Sequence, residues 1–276
     1  YLIDLGSRNG TFVNGRRVTI PVPIQSGDHI TFGQTELEFY CPHSVKLTKS
    51  DNNELDTDNR ETTATAILHV RKLISVLVID IRNFTGLTRQ MDEKILSEMI
   101  GSWFRQAGQI IRTYGSWVDK YIGDAIMAVW IHESENVSHD EMLQIFRALS
   151  ALYNMTSTLA TNYPLPFPLR IGAGINTGYA MVGNTGSGDR PDYTALGDTV
   201  NAAFRLESST KQIGCDVALG EQTYAHLAPL VTDKSLFKSF SVDLKGYEVP
   251  MTTFACTFEA LDQFLATYGV TTICNH

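Results

Sequence analysis

The chain has 276 residues with 30 acidic and 22 basic side chains, a net charge of −8. That charge disfavours nucleic acid as the main partner, although a local basic pocket for a phosphorylated small molecule is compatible with it. Hydrophobic residues make up 43% and charged residues 19%, which predicts a packed core and excludes global disorder. The four cysteines lack CxxC spacing, so a zinc site or a disulfide framework is disfavoured. Without a membrane-length apolar run or a signal-peptide pattern, we expect a soluble, cytoplasmic protein.

Two regions are expected, separated by a polar segment. Residues 1–41 consist of short β-type runs punctuated by turn pairs such as Asn14-Gly15, which predicts an all-β module. Residues 42–72 have no apolar periodicity and are interpreted as a solvated linker.

From residue 73 to about 260, helical and strand patterns alternate. Strands are predicted at 74–81, in a pair at 116–131, in the LRIGAGI segment and at 178–182; helices are predicted at 91–113, 139–161 and 198–212. The order indicates an α+β sheet with helices on one face. Residues 261–276 are interpreted as a tail, a helix that ends in loose residues.

Two aspartates carry the first chemical signal. Asp80 ends the apolar run ISVLVI, and Asp124 follows Gly123 between two apolar stretches, which predicts a tight turn between paired strands. Carboxylates at neighbouring strand ends are ligands that Mg²⁺ or Mn²⁺ prefers. The alternative is that each aspartate caps a turn or pairs with a lysine.

Five segments in this order resemble the catalytic domain of class III nucleotide cyclases: VLVIDIRNFTGLT (76–88), WVDKYIGDAIMAV (117–129), IGAGINTG (171–178), DYTALGDTVNAAFRLE (192–207) and VDLKGYEVP (242–250). The resemblance implies a ferredoxin-like βαββαβ catalytic domain. It also implies a head-to-tail homodimer with its nucleotide sites at the shared interface.

By this resemblance, two Mg²⁺ or Mn²⁺ ions per active site are held by Asp80, Asp124 and the Ile81 carbonyl. One ion lowers the pKa of the ribose 3′-hydroxyl, and the other binds the triphosphate. Arg205 stabilises charge at the α-phosphate, and Asn201 orients the ribose. A surface ion pair of Arg205 with Glu207 or Glu98 is the alternative.

Phosphate binding is assigned to the loop containing Phe84, Thr85 and Gly86 and to Lys245, which by resemblance contacts the β- and γ-phosphates. Helix-opening loops present backbone N–H groups to phosphate. Thr85 could equally be a helix cap, and Lys245 a solvated turn residue.

Recognition of the nucleotide's purine base is assigned to Lys120 and Thr194. In adenine-specific members of the family a lysine and an aspartate or threonine read the N1 and N6 edge. Lysine only donates and adenine N1 only accepts, which agrees with that pairing. The chain is therefore interpreted as an adenylate cyclase that converts ATP to 3′,5′-cyclic AMP and pyrophosphate. The alternatives are a guanylate cyclase, or a phosphopeptide-binding scaffold with an inactive cyclase domain.

The chain departs from the family pattern at Gly172, where many members have an arginine near the triphosphate. The nearest arginine is Arg170, and strand alternation places both positions on the same face. The role of Arg170 is left open.

The segment DLGSRNGTFVNG resembles the carboxy-terminal half of a forkhead-associated (FHA) domain, a β-sandwich that binds phosphothreonine peptides. By resemblance Arg8 and Asn9 lie in the peptide-contacting loop. Asn14-Gly15 is interpreted as hairpin-turn chemistry instead.

Overall fold

The computed structural model describes residues 2, 10–18, 24, 26–40, 69–132, 134–184 and 193–268. The chain divides into two compact units, one of residues 1–67 and 184–192 and the other of residues 68–183 and 193–276. Most of the predicted linker, and the predicted peptide-contacting residues Arg8 and Asn9, lie outside the described residues.

The first unit contains a four-stranded antiparallel sheet. Its strands are β1 (Thr11–Val13), β2 (Arg16–Arg17), β3 (His29–Phe32) and β4 (Thr35–Glu38), in the order β2-β1-β3-β4. Asn14 (φ 49°) and Gly15 (φ 75°) connect β1 to β2, as a type I′ hairpin requires. The Asn14 amide also donates to Asp28 and accepts from the His29 N–H. The hairpin interpretation of this pair is confirmed.

The second unit contains the remaining strands and all the α-helices of the described residues. In chain order they are β5 (His69–Ile81), α1 (Phe84–Gln90), α2 (Glu93–Thr113), β6 (Val118–Ile122), β7 (Ala125–His132), α3 (His139–Ala160), β8 (Ile171–Asn184), β9 (Tyr193–Leu196), α4 (Asp198–Ile213), β10 (Val217–Gly220), α5 (Glu221–Leu227), β11 (Lys238–Val242), β12 (Met251–Cys256) and α6 (Phe258–Ala266).

The sheet runs β11-β12-β10-β8-β5-β7-β6, and β9 also pairs with β8. The long strand β5 is antiparallel to both of its neighbours, whereas β10 is parallel to β8. The predicted α+β class is confirmed. The prediction of separate strands at 169–175 and 178–182 is wrong, because β8 is one continuous strand from Ile171 to Asn184. Helices α1 and α5 were not predicted.

The sheet separates two apolar layers. Leu77, Ile79 and Ile81 of β5 join the large core beneath α2, α3 and α6. Leu261 and Phe264 of α6 belong to that core, so the predicted domain end at residue 260 falls inside a packed helix. None of the helices in the described ranges has the length and apolar character needed to cross a membrane.

Helix α4 packs on the opposite face, which is where the prediction of helices on one face is wrong. Val200 and Ala203 of α4 contact the layer that Val76 and Val78 of β5 form. Alternation along β5 places Asp80 on this same face. Helix α4 therefore lies beside the aspartate that was predicted to bind metal.

A series of polar side chains, buried at Ser75 and His132 and partly exposed at Glu141, joins β5 to α3. Ser75 Oγ lies 2.8 Å from His132 Nε2, and His132 Nδ1 lies 2.9 Å from Glu141 Oε1. Glu141 also closes a capping box with Ser138 at the start of α3. The serine–histidine–carboxylate order resembles a hydrolase triad, but Ser75 is fully buried. No substrate can reach the Ser75 hydroxyl, so this series of hydrogen bonds is structural.

Candidate active site

Asp80 and Asp124 meet at one end of the sheet. Asp80 is paired in register with Ala125, the first residue of β7. Asp124 occupies the two-residue turn between β6 and β7, after Gly123 (φ 65°). The predicted tight turn is confirmed. Glycine is suited to the first position of this turn because the positive φ strains other residues.

The electrostatics show that the two carboxylates interact. Burial raises the pKa of Asp80 above its ordinary value, and the negative charge of Asp124 raises it further. Lys211 opposes this, with its Nζ 3.7 Å from Asp80 Oδ2. Pairing with a lysine, one of the two alternatives to metal binding, is therefore present at Asp80.

The site has the features of a divalent cation site. Two adjacent carboxylates, one of them disfavoured in its charged form, leave negative charge that a cation would relieve. Within the described ranges no cluster of three or more His, Cys, Asp or Glu residues could hold a metal. Mg²⁺ commonly takes one or two protein carboxylates and completes its shell with phosphate oxygens and water, so two aspartates suit a metal–nucleotide complex.

Helix α4 presents different side chains to its two sides. Asn201 and Arg205, one turn apart, are both exposed, in agreement with their predicted common face. Glu207 is only 4% exposed and lies near Asp80, whose charge helps to raise the pKa of Glu207 after burial itself. The alternative of a surface ion pair between Arg205 and Glu207 is therefore wrong.

Gly172 leaves space that two other side chains fill. A Cβ at this position would lie 2.8 Å from Glu207 Oε1 and 3.2 Å from Arg82 Nη2. Arg82 also donates to Thr210 Oγ1 (3.1 Å) and to the Cys215 carbonyl (2.7 Å). Neither Arg82 nor Glu207 was predicted to contribute here. The one signal in the sequence was the missing side chain at Gly172.

Arg170 is engaged elsewhere. Its guanidinium donates to Asp216 Oδ1 at 2.9 Å, and Arg82 approaches the same oxygen at 3.9 Å. Arg170 therefore holds the edge where β8 and β10 begin.

The start of α1 settles one alternative. Asn83, in the left-handed region with φ 56°, is the N-cap residue, and its carbonyl accepts from the Gly86 and Leu87 N–H groups. Thr85 lies inside the helix, so its interpretation as a cap is wrong. A Cβ at Gly86 would lie 2.6 Å from the Asn83 side chain, which explains the glycine.

The predicted base-reading residues lie on two strands. Lys120 is in β6, opposite Met127 of β7, and Met127 packs in the layer on the Asp80 face. Thr194 is buried in β9, which pairs with β8.

Lys245 is held near α4 by a contact that the sequence did not reveal. It is exposed in the turn between β11 and β12, next to Gly246 (φ 92°). Tyr247 donates from its hydroxyl to Asp198 Oδ1 at 2.5 Å, at the start of α4. Burial, together with this bond and the charge of Asp198, raises the pKa of Tyr247 to about 12, against an opposing effect of Arg205. The contact fixes the Lys245 turn beside the helix that carries Arg205.

Comparison with known proteins identifies the family of the chain. A sequence model of the adenylate and guanylate cyclase catalytic domain matches residues 69–257, and one of the FHA domain matches residues 1–33. An adenylate cyclase of Anabaena cylindrica is 30% identical over 56% of this chain and 31% of its own length. Adenylate cyclase 1 of Rhizobium meliloti (strain 1021) is 28% identical over 65% of this chain and 28% of its own length. The chain thus spans less than a third of these relatives.

Solved structures show the same fold. The adenylyl cyclase CyaB from P. aeruginosa superposes with a TM-score of 0.57 at 26% identity, over 68% of this chain and 95% of that one. The guanylyl cyclase Cya2 also gives a TM-score of 0.57, at 23% identity over 68% of this chain and 92% of that one. With a family model matching more than half of its length, the chain belongs to the adenylate and guanylate cyclase catalytic domain family.

Proposed function

We propose that this chain is an adenylate cyclase that forms 3′,5′-cyclic AMP and pyrophosphate from ATP. The adjacent carboxylates of Asp80 and Asp124 are the observation that carries the proposal, because they would hold a divalent cation at the end of the central strand. The adenylate cyclase of Anabaena cylindrica and adenylate cyclase 1 of Rhizobium meliloti each match more than half of this chain.

The reaction needs positioning and charge stabilisation more than covalent help from the protein. The ribose 3′-oxygen loses its proton and bonds to the α-phosphorus, while the bond from that phosphorus to the oxygen bridging to the β-phosphate breaks. Mg²⁺ or Mn²⁺ ions held by Asp80, Asp124 and the Ile81 carbonyl would acidify the 3′-hydroxyl and neutralise the triphosphate.

The side chains of the chain itself supply the remaining groups. Arg205 would stabilise the charge that develops at the α-phosphate, where a guanidinium fork matches the oxygens. Asn201, one turn before it, would orient the ribose. Lys245 would contact the outer phosphates together with the backbone N–H groups of Phe84 and Thr85, whereas the N–H of Gly86 already donates to the Asn83 carbonyl.

The proposal places each site between two copies of the chain. Arg205 and Glu207 are two residues apart and so about 200° apart around α4. Because Glu207 faces the Asp80 of its own chain, Arg205 projects away from it. Beside Asp124, the apolar residues Tyr121 and Ile122 are 46% and 49% exposed, as expected of a surface that another copy covers.

Preference for adenine is proposed from Lys120 and Thr194. An ammonium donor matches the N1 acceptor of adenine, whereas guanine N1 carries a hydrogen. Thr194, which is 7% exposed and so not fully buried as Ser75 is, would accept through its hydroxyl from the exocyclic amine of adenine. Guanylate cyclase activity is the competing possibility.

The test is to incubate the purified chain with ATP or GTP and Mn²⁺ and to identify the product by mass spectrometry. Cyclic AMP from ATP, lost in Asp80→Asn, is the expected result. Cyclic GMP in excess over cyclic AMP would contradict the base assignment. No cyclic product from either nucleotide would favour the inactive-scaffold alternative.

Two further assignments belong to this proposal. The intact FHA region would bind a phosphothreonine peptide and so connect cyclase activity to phosphorylation. A cytoplasmic location fits the use of ATP and the scattered cysteines.

A further inference from the structure

Lys211 occupies the place where the metal site needs positive charge. It lies on α4 one turn after Glu207, and its Nζ is 3.7 Å from Asp80 Oδ2. The Asp80 side chain is 21% exposed, whereas that of Lys211 is 52% exposed. The ammonium therefore reaches the carboxylate from the solvent side, where a cation would also arrive.

The pairing compensates only part of the negative charge. Asp124 immediately precedes Ala125, the register partner of Asp80, and so places a second carboxylate beside the pair. Behind them, the buried Glu207 has one carboxylate oxygen, Oε1, without a hydrogen-bond partner. The carboxylates of Asp80, Asp124 and Glu207 thus share two nearby cationic side chains, Lys211 and Arg82, which leaves net negative charge for a divalent cation to compensate.

The ion pair between Lys211 and Asp80 is also easily separated. Ion pairs with one partner half in water contribute little stability, since the ammonium is well solvated when it leaves. The four-carbon stem of lysine lets the charged group swing away while α4 stays in place. A buried arginine at this position would be far harder to displace.

We propose that Lys211 is a resident counter-ion of the metal site. It neutralises Asp80 in the metal-free enzyme, must leave that oxygen when a divalent cation binds, and thereby sets the cation affinity. This inference rests on the metal site of the proposed function. Lys211 is a positioning residue here and contacts no substrate atom.

The test measures Mn²⁺ binding directly, without nucleotide, by calorimetry or by the electron paramagnetic resonance signal of free Mn²⁺. Lys211→Met keeps the length of the side chain and removes its charge. We expect it to bind Mn²⁺ about tenfold more tightly than the unsubstituted chain, which corresponds to about 1.4 kcal/mol.

Lys72→Met is the matched control. Lys72 is exposed on the same strand as Asp80 but eight residues away, at about 26 Å along an extended strand. The variant makes the same change in net charge and should leave Mn²⁺ affinity within about twofold, because charges beyond the ~10 Å Debye length are screened. In an Asp80→Asn background, Lys211→Met should no longer change the Mn²⁺ affinity.

The two ways of failing are distinguishable. Equal Mn²⁺ affinity in Lys211→Met and the unsubstituted chain would overturn the role of Lys211 and leave the cyclase proposal intact. Weaker binding in Lys211→Met would also overturn it. Mn²⁺ binding that Asp80→Asn does not reduce would overturn the metal site itself, and the inference with it.

Discussion

Replacing Gly174 with alanine should push α4 slightly away from the sheet. A Cβ at this position would lie 2.3 Å from both the Ala203 carbonyl oxygen and the Glu207 backbone nitrogen. Both atoms belong to helix backbone, which cannot rotate aside as a side chain can. To restore ordinary contact at 3.4 Å, the helix must move by about 1 Å.

The displacement has two measurable consequences. Overpacking of this kind costs about 1–3 kcal/mol, so the midpoint of urea unfolding should fall while the domain still folds. Helix α4 also carries Asn201 and Arg205, and a misplacement of about 1 Å at a catalytic group can lower the rate by ~100-fold. Cyclic AMP formation should therefore fall far more than the folded fraction.

Gly101→Ala provides the control within the same domain. Gly101 is exposed in α2, and a Cβ there would meet nothing within 4 Å. Alanine in a helix interior is favoured over glycine by about 0.5–1 kcal/mol, so this variant should be slightly more stable and fully active. Gly174→Ala with unchanged stability and activity would refute the close packing of α4 on β8.

Three further substitutions test other parts of the account. Tyr247→Phe removes the hydrogen bond to Asp198, so the KM for ATP in steady-state kinetics should rise several-fold. The unfolding free energy from urea titration should change little. An unchanged KM would argue against the role of this hydrogen bond in holding the Lys245 turn. Burial raises the pKa of Glu141, but hydrogen bonds from Ser138 and His132 outweigh the burial, and the net pKa is lowered. The stabilising contribution of Glu141 is therefore present above the pKa of the unfolded chain, near 4.5, and is lost as the pH falls. Glu141→Gln should therefore lower stability at pH 7 by about 1–2 kcal/mol and flatten the acid limb of a stability–pH profile, whereas a parallel profile would contradict the linkage. Lys120→Glu combined with Thr194→Cys should shift the ratio of kcat/KM values from ATP towards GTP, and a preference that stays with ATP would reject the base assignment.

The parts of the fold that sequence could predict are those with strong local signals. The apolar run before Asp80, the Asn14-Gly15 hairpin and the long amphipathic α3 each depend on their own residues. The continuous strand β8 was missed because its glycines imitate turn signals, while in the structure they admit α4.

The candidate active site also contains residues that the sequence could predict and residues that it could not. Asp80 and Asp124 were predictable because a carboxylate at the end of an apolar strand is conspicuous. Lys211 and Glu207 were not, since only the packing of α4 on the Asp80 face of the sheet brings them to Asp80. An ordinary Glu–Lys spacing of four on a helix predicts a surface ion pair and gives no sign of a third partner.

The central claim is that each active site combines Asp80 and Asp124 of one chain with Arg205 of another. The most direct measurement is cyclic AMP formation by an equimolar mixture of Asp80→Ala and Arg205→Ala proteins, each inactive alone. Random pairing makes half of the dimers mixed, each with one intact site of two, so recovery of about a quarter of the unsubstituted activity is expected. No recovery, with mixed dimers demonstrated by differential tags, would contradict the shared site.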